Sequence, residues 1–413
     1  MLDAKRLRAL IEGGENSFVE FKEDAVDNKK LARELVALLN HRGGYILLGV
    51  SDAGELVGVT RPDNEERIMN VCADLITPTV QAAYYEVLCE EKRIAVIEIE
   101  AGHNKPYAVN EVANLDGRKT KIKLYFNRYG STTREVTERD EIQRLFQASG
   151  KLHYETTPVA GAKLSDLDLT ALVEYLQSYR RLEVSTLDEP ALHRLMENLN
   201  LLARTDVEVR PTIAGLLLFG KNRVTRWLPQ NGIDCVKVRG LDLSEGTDDV
   251  KFFERSVFTN LEDALAFIYR YNTQSFVIEG VRRVDFWDYP EKALRECLVN
   301  TIVHRDYTIA GSHIRVHIFE NRIEVRSPGS IPNSLTLEKI RLGTIYHRNP
   351  VLMQFFYDAH LSERLGQGIP TIFREMKANG NPEPVLEDLG EELKVTLHKR
   401  TATKQEVTAN ERE

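Results

Sequence analysis

Cysteine is scarce in this chain: four in 413 residues, at Cys72, Cys89, Cys235 and Cys297, with no C-x-x-C pair. That pattern excludes a disulfide framework and a cysteine-built zinc site. Long apolar runs are missing too, since no stretch reaches about 18 apolar residues, and no membrane span is expected. The leading "MLDAKRLRALIEGGENS" is charged throughout and lacks the apolar core of a signal peptide. A reducing, cytoplasmic setting is therefore the expectation. There is no excess of positive charge: the net charge is −8, so any nucleic-acid contact must come from a local basic patch. The phosphate loop G-x4-G-K-[ST] is absent, because the Gly-Lys of "LLLFGKNR" is not followed by a hydroxyl. His41, His103, His193 and His360 show no metal-ligand spacing and read as structural or surface residues. What remains is ordinary globular material, 42% hydrophobic and 29% charged. At roughly 100–200 residues per domain, the length suggests two or three domains.

The pattern along the chain predicts an α+β domain over residues 1–150. "DAKRLRALIEGG" reads as a helix stopped by glycines, and the alternation of "SFVEFKE" as a strand. "DNKKLARELVALLNHRGG" is a second helix, capped by Asp27 or Asn28 and ended at Gly43-Gly44. "YILLGVS" is a buried strand, and "LVGVT" its return after a "DAGE" turn. A helix around "EERIMNVCADLI", strands through "AAYYEVLCEE", "RIAVIEIEA" and "KIKLYFNRYG", and a helix at "TERDEIQRLFQAS" complete it. Residues 151–160 read as a linker within a mixed middle region, 151–284, in which "PTIAGLLLFGK" is expected to be a core strand. A third unit spans 285–400, and a polar tail, 401–413, is expected to fray.

Two stretches carry candidate chemistry in the first domain. Glu15 precedes the strand "VEFK", Glu20 lies in it, and Asp52 follows "GGYILLGV". Side chains at neighbouring strand ends can converge, and two or three carboxylates bind Mg²⁺ or Mn²⁺ well. Such a metal activates water and neutralises a scissile phosphate. Lys22 shares the face of Glu20 and can neutralise a phosphate oxygen. Spacing alone favours a solvated acidic strand end, with Glu23 and Asp24 as surface charge. The second stretch, residues 117–134, has six Lys or Arg and no acid. Lys119, Lys121 and Lys123 alternate along one strand face, interleaved with aromatics, while Arg128 and Arg134 flank a Gly130 turn. Single-strand binders combine phosphate neutralisation with stacking in this way. The competing reading is an edge strand whose lysines discourage aggregation.

A further constellation lies in "EKALRECLVNTIVHRDY", where Glu296, Asn300 and His304 recur every four residues on one helical stripe. Downstream come a strand pair ending in Pro328-Gly329 and a helix opened by Gly366 and Gly368, which let backbone N–H groups approach a phosphate. Alone, the stripe also reads as a solvent face.

Two resemblances bear on these choices. The run "EN-SFVEFKED … LVALLNHRGGYILLGVSDAGELVGV", continued by "NKPYAV" and "YFNRYGSTTREVTERDEIQRLF", resembles the AlbA-2 domain shared with Schlafen proteins, over about residues 12–147. The resemblance implies a nucleic-acid-binding or nuclease domain with Glu15, Glu20 and Asp52 as the metal-holding acids. "ALRECLVNTIVHRDY", "RIEVRSPGSIP", "HRNPVL" and "ERLGQGI" resemble the divergent GHKL (Bergerat) ATP-binding fold over about residues 285–400. This implies an α/β sandwich in which Glu296 positions water and Asn300 holds Mg²⁺. His304 and Gly329 would line the nucleotide site, and Gly366 and Gly368 would turn about the phosphates. One departure is visible: Ser327 stands where the adenine-reading Asp belongs, so nucleotide binding is better supported than turnover.

The resulting expectation is a nucleotide-controlled, metal-dependent endonuclease acting on RNA or single-stranded nucleic acid, with ATP, Mg²⁺ or Mn²⁺ as cofactors. Self-association into a homo-oligomer is expected, and a role in phage defence is compatible with this reading. The alternatives are a non-enzymatic DNA-binding regulator switched by ATP, and an ATPase whose acidic cluster is structural. Regulators of this build often carry a C-terminal winged helix, for which the sequence leaves no room.

Overall fold

The computed structural model describes residues 2–400, apart from 101, 103, 116–117, 149–152, 185–186, 207, 280–281, 332–334, 345 and 363–365. The expected frayed tail and His103 lie outside the described residues. The chain divides into two units, one over 1–152 with 332–334, the other over 153–331 with 335–413.

In the first unit, α1 (Ala4–Glu12) begins at Asp3, whose carboxylate accepts from Arg6 N. It leads to β1 (Val19–Lys22), α2 (Asn28–Asn40) and β2 (Gly43–Leu48). Asp27 caps α2 by accepting from Lys29 N and Lys30 N. Next come α3 (Asn64–Asn70), β3 (Ile76–Thr77), β4 (Ala83–Cys89), β5 (Lys92–Glu100), β6 (Ala108–Leu115), β7 (Arg118–Tyr129), β8 (Thr132–Glu135) and α4 (Arg139–Ala148). They build two four-stranded sheets, ordered β1-β2-β5-β4 and β3-β6-β7-β8. The first pair is parallel, with Glu20 opposite Ile46 and Lys22 opposite Leu48. The expected strand at "LVGVT" forms only a Val50–Leu56 bridge, whereas β6 and β8 carry no alternation strong enough to have been anticipated.

The first sheet has a core on each face. Leu7 and Ile11 of α1 meet Val19, Phe21, Leu47 and Val96 on one side. Leu31, Leu35, Leu38 and Leu39 of α2 meet Ile46, Leu48, Ala95 and Ile97 on the other. Each of these buried leucines stabilises by about 1.5–3 kcal/mol, more than the roughly 1 kcal/mol of a helix cap. The period of two therefore turns Glu20 and Lys22 toward the α2 side, where neither reaches bulk water.

The second unit holds α5 (Leu169–Arg180), α6 (Glu189–Asn198), β9 (Leu202–Arg204), β10 (Val209–Pro211), α7 (Ile213–Phe219), β11 (Ile233–Val238), β12 (Thr247–Phe253) and α8 (Val257–Tyr269). It continues through β13 (Gln274–Glu279), β14 (Arg282–Trp287), α9 (Glu291–His304), β15 (Ile314–Ile318), β16 (Arg322–Pro328), α10 (Leu337–Arg341), α11 (Pro350–Asp358), α12 (Gly368–Ala378), β17 (Val385–Asp388) and β18 (Glu392–His398). A six-stranded sheet, β12-β11-β15-β16-β18-β17, backs onto α8 and α9. Because β11 pairs with β15, residues 153–284 and 285–400 share one sheet and one core rather than parting near Asp285.

Two expectations fail here. "PTIAGLLLFG" is the helix α7, fully buried and capped by Thr212, whose hydroxyl accepts from Gly215 N. A segment apolar all round has no period to read. The "linker" is also ordered: Glu155 is completely buried and accepts from Val351 N at 2.6 Å and Leu352 N at 3.0 Å, closing the start of α11.

Candidate functional site

The acids of the first unit meet cations. Lys22 Nζ pairs with Glu20, lies 4.0 Å from Glu15 Oε1, and donates to Phe21 O at 2.8 Å. Arg128 Nη2 sits 2.6 Å from Glu20 Oε2, as an ion pair without hydrogen-bond alignment. The same guanidinium donates to Glu34 Oε2 at 3.3 Å, Thr133 Oγ1 at 3.1 Å, Asn16 O at 2.9 Å and Val19 O at 3.2 Å. Glu15 accepts from Phe21 N at 2.9 Å. Burial, and then the neighbouring Glu20, push the Glu34 carboxyl above its ordinary range, while Thr133 opposes them.

Asp52 is exposed in the turn beyond β2. Among the described residues no three His, Cys, Asp or Glu side chains gather closely enough to hold an ion. The metal set expected from Glu15, Glu20 and Asp52 is therefore not assembled. A divalent cation does not fit these side chains as they stand. Lys22 and Arg128 already balance the buried carboxylates, and displacing either would strand a buried charge.

Arg128 also corrects the expectation that it contacts nucleic acid. Its side chain is 0% exposed. In β7 it falls in phase with Leu124 and Phe126, which pack against the α2 core. Lys119, Lys121 and Lys123 take the opposite phase and are exposed. The β6 residues beside them are Asn114, Val112 and Asn110, with no acid. Glu111 lies on the other face and pairs with Arg33 at 2.8 Å. Arg134 is exposed, 6.0 Å from the Tyr129 ring. Asp24, expected at the surface, is buried and accepts from Thr60 N, Arg61 N and Asn64 Nδ2. Burial resists its ionisation, but those bonds, Asn64 foremost, hold its carboxyl below the usual range.

In the second unit, α9 carries Glu296, buried, and Asn300, half-buried. Asn300 and Gly368 are brought together: a Cβ on Gly368 would lie 2.7 Å from Asn300 Nδ2. That amide nitrogen is buried without a hydrogen-bond partner among the described residues. Gly368 opens α12, whose N-cap Gln367 makes no side-chain cap bond, and Gly366 precedes it at φ 67°. A helix start without a side-chain cap, an orphan amide and missing side chains fit a phosphate-bearing ligand.

The remaining expected contacts have other work. His304 faces His347, rings 6.5 Å apart and nearly parallel. Burial, then His347 and Arg348, push it down to about 3, so it is neutral near pH 7. Gly329 has φ 111°, and a Cβ there would stand 2.6 Å from Arg348 Nη1 and from Asp306 Cβ, so the glycine serves the turn. Ser327 Oγ donates to Thr301 O at 3.1 Å, an internal tie between β16 and α9.

Sequence reading missed the residues that hold the end of α9. Arg348 donates to His304 O at 2.9 Å, and Asn349 Nδ2 to Val303 O at 2.9 Å and Arg305 O at 2.8 Å. They satisfy carbonyls that a helix C-terminus leaves open. Lys105 does the same for α2, donating to Asn40 O at 2.7 Å and to His41 O; burial and Arg42 push it down to about 7. No local signal marks these ties, since each joins residues more than forty positions apart.

Residues 15–137 match the family model described as Schlafen, AlbA_2. Residues 311–397 match HATPase_c_4, described as "Putative ATP-dependent DNA helicase recG C-terminal", and 143–234 match a domain of unknown function, DUF8451. No curated protein matches the chain. Among solved structures, the DIP2311 protein from Corynebacterium diphtheriae is 21% identical, with 93% of this chain and 76% of that chain covered and a TM-score of 0.48. The N-terminal domain of a RecG-related protein from Nitrosomonas europaea is also 21% identical, over 34% of this chain and 97% of that one, at a TM-score of 0.24. The chain thus carries a Schlafen AlbA_2 domain at its N-terminus and a C-terminal domain of the recG C-terminal type. No helix among the described residues is long and apolar enough to cross a membrane.

Proposed function

We propose that this protein binds nucleic acid through its N-terminal domain and a nucleoside triphosphate in its second unit, as a nucleotide-responsive nucleic-acid-binding protein. The reading rests on one observation above others. Lys119, Lys121 and Lys123 are exposed on one face of β7, beside neutral Asn114, Val112 and Asn110. Successive lysines two residues apart repeat every 6.7 Å or so along a strand, a spacing an extended phosphate backbone can follow. The family matches, to AlbA_2 and to the recG C-terminal type, support the same assignment.

The acidic cluster takes a structural role in this reading. Glu20 is engaged by Lys22 and Arg128, and its work is to anchor β1 against β7. In the second unit, Asn300, Gly366 and Gly368 would hold the phosphates, and Asn300 would take part in holding an accompanying Mg²⁺. Such an ion neutralises phosphate charge when bound. Glu296 lies one helical turn away.

The test uses the full chain with end-labelled RNA, single-stranded DNA and duplex DNA, with Mn²⁺ and with or without ATP. The expected result is binding without cleavage. Cleavage products that disappear in Glu20→Gln would overturn the structural role of the cluster and reinstate a metal-dependent nuclease.

A further inference from the structure

Among the described residues, the six-stranded sheet of the second unit ends at β12, which pairs on one side only, with β11. An open strand edge of seven residues is a template for another strand, and proteins usually blunt it with proline, charged side chains, a bulge, a covering segment or a very short strand; β12 carries Asp248, Asp249 and Lys251 and a register shift at Asp248, which restrict its partner to a strand of complementary charge. β12, "TDDVKFF", has no proline, and all but Asp249 and Phe253 are exposed. Its register sets the faces. Lys251 and Phe253 lie beside Cys235 and Ile233, which point into the core, so Val250 and Phe252 occupy the outer face, at 37% and 66% exposure.

We propose that β12 is the seam of a symmetric homodimer, in which two copies pair antiparallel about Val250 and join their sheets edge to edge. Charge complementarity favours a second copy as the partner and, among the three central positions of β12, sets the register. A twofold axis perpendicular to the sheet sets like faces opposite each other, so the centre of pairing must fall on a residue. Centring on Asp249 opposes two carboxylates, and centring on Lys251 opposes two ammonium groups, both unfavourable directly across a ladder. Centring on Val250 sets Asp249 against Lys251 of the second copy, twice, and Val250 against itself. Lys251 makes no ion pair with any described residue, so it is available. Asp249 is already oriented by Tyr271 Oη at 2.8 Å and Arg270 at 3.2 Å. A seam this short buries less than about 1,200 Å², which places it among weak, reversible interfaces.

Sedimentation of the full chain across a micromolar concentration series tests this. Wild type is expected to dimerise reversibly. Lys251→Asp sets carboxylate against carboxylate twice and is expected to weaken the dimer at least tenfold; the residue is exposed, so the variant should fold, which circular dichroism checks. Val250→Cys is expected to cross-link under mild oxidation, because Cα atoms directly opposite in an antiparallel pair lie about 4.5–5.5 Å apart, within disulfide reach. Phe252→Cys, displaced from its own copy by four residues, is not. All four native cysteines are buried and should stay silent. A chain that is monomeric throughout, a dimer indifferent to Lys251→Asp, or equal cross-linking at 250 and 252 would overturn the proposal.

Discussion

Replacing Arg128 by alanine separates a structural guanidinium from a nucleic-acid contact. The side chain is wholly buried and joins Glu20, Glu34, Thr133 and the carbonyls of Asn16 and Val19. Removing one partner of a buried ion pair costs about 3–5 kcal/mol, because the other charge is stranded. Two carbonyls also lose a donor, at about 1 kcal/mol each, part of it recovered if water enters. The expected loss is thus about 4–6 kcal/mol, a large share of a domain's 5–15 kcal/mol or so. For a unit of this size it lowers the melting temperature by roughly 10–20 °C. Scanning calorimetry of the full chain should show the transition of the first unit move and that of the second stay. Lys121→Ala, at an exposed position, should change stability by no more than about 0.5 kcal/mol. Glu20→Gln in the Arg128→Ala background should recover part of the loss, since it removes the stranded charge. The reasoning fails if Arg128→Ala melts like wild type and weakens nucleic-acid binding as much as Lys121→Ala does.

Other consequences follow from the second unit. Burial raises Glu155 to about 7 from 4.5, so the folded state keeps a proton that the unfolded chain releases. Stability should fall as pH rises from about 4.5 to 7, by at most about 3 kcal/mol, and then level off; Glu155→Gln should flatten that limb in urea titrations. His304 acts in the opposite sense: held down to about 3, it stays neutral where the unfolded chain takes up a proton, so stability falls as pH drops below about 6.5, and His304→Gln should reduce the acid loss. Gly368→Ala drives a methyl to 2.7 Å from Asn300 Nδ2 and should weaken binding of a non-hydrolysable ATP analogue at least tenfold by calorimetry. Asn349→Ala strips two bonds from the end of α9 and should cost about 2–3 kcal/mol in chemical denaturation.

Much of the N-terminal fold was legible because its signals are local. Asp27 caps α2 as the sequence suggests, and "VEFK" is a strand. The Gly43-Gly44 pair does more than stop a helix: a Cβ on Gly44 would lie 2.2 Å from Phe18 O, so glycine lets β1 and β2 close. The partners of charged residues were far less legible. Asp24 and Arg128 look like surface charge in sequence, yet both are buried by contacts 36 to 112 residues away. Phase offered a clue for Arg128, since it alternates with Phe126 and Leu124 rather than with the lysines. In the second unit, spacing alone brought Glu296, Asn300 and His304 onto one stripe. It gave no sign that Gly368 would close on Asn300, or that His304 would face His347.

The most direct test of the account is the salt dependence of nucleic-acid binding by the full chain and by Lys119→Ala/Lys121→Ala/Lys123→Ala. Four exposed cations, the three lysines and Arg134, predict a slope of log K against log salt of about −2.8 to −3.6, or roughly a 50- to 150-fold loss between about 50 and 200 mM. The triple variant should keep its melting temperature and bind with a slope near −1. Wild-type slope and affinity in that variant would contradict the account, because the nucleic acid would then lie on some other surface.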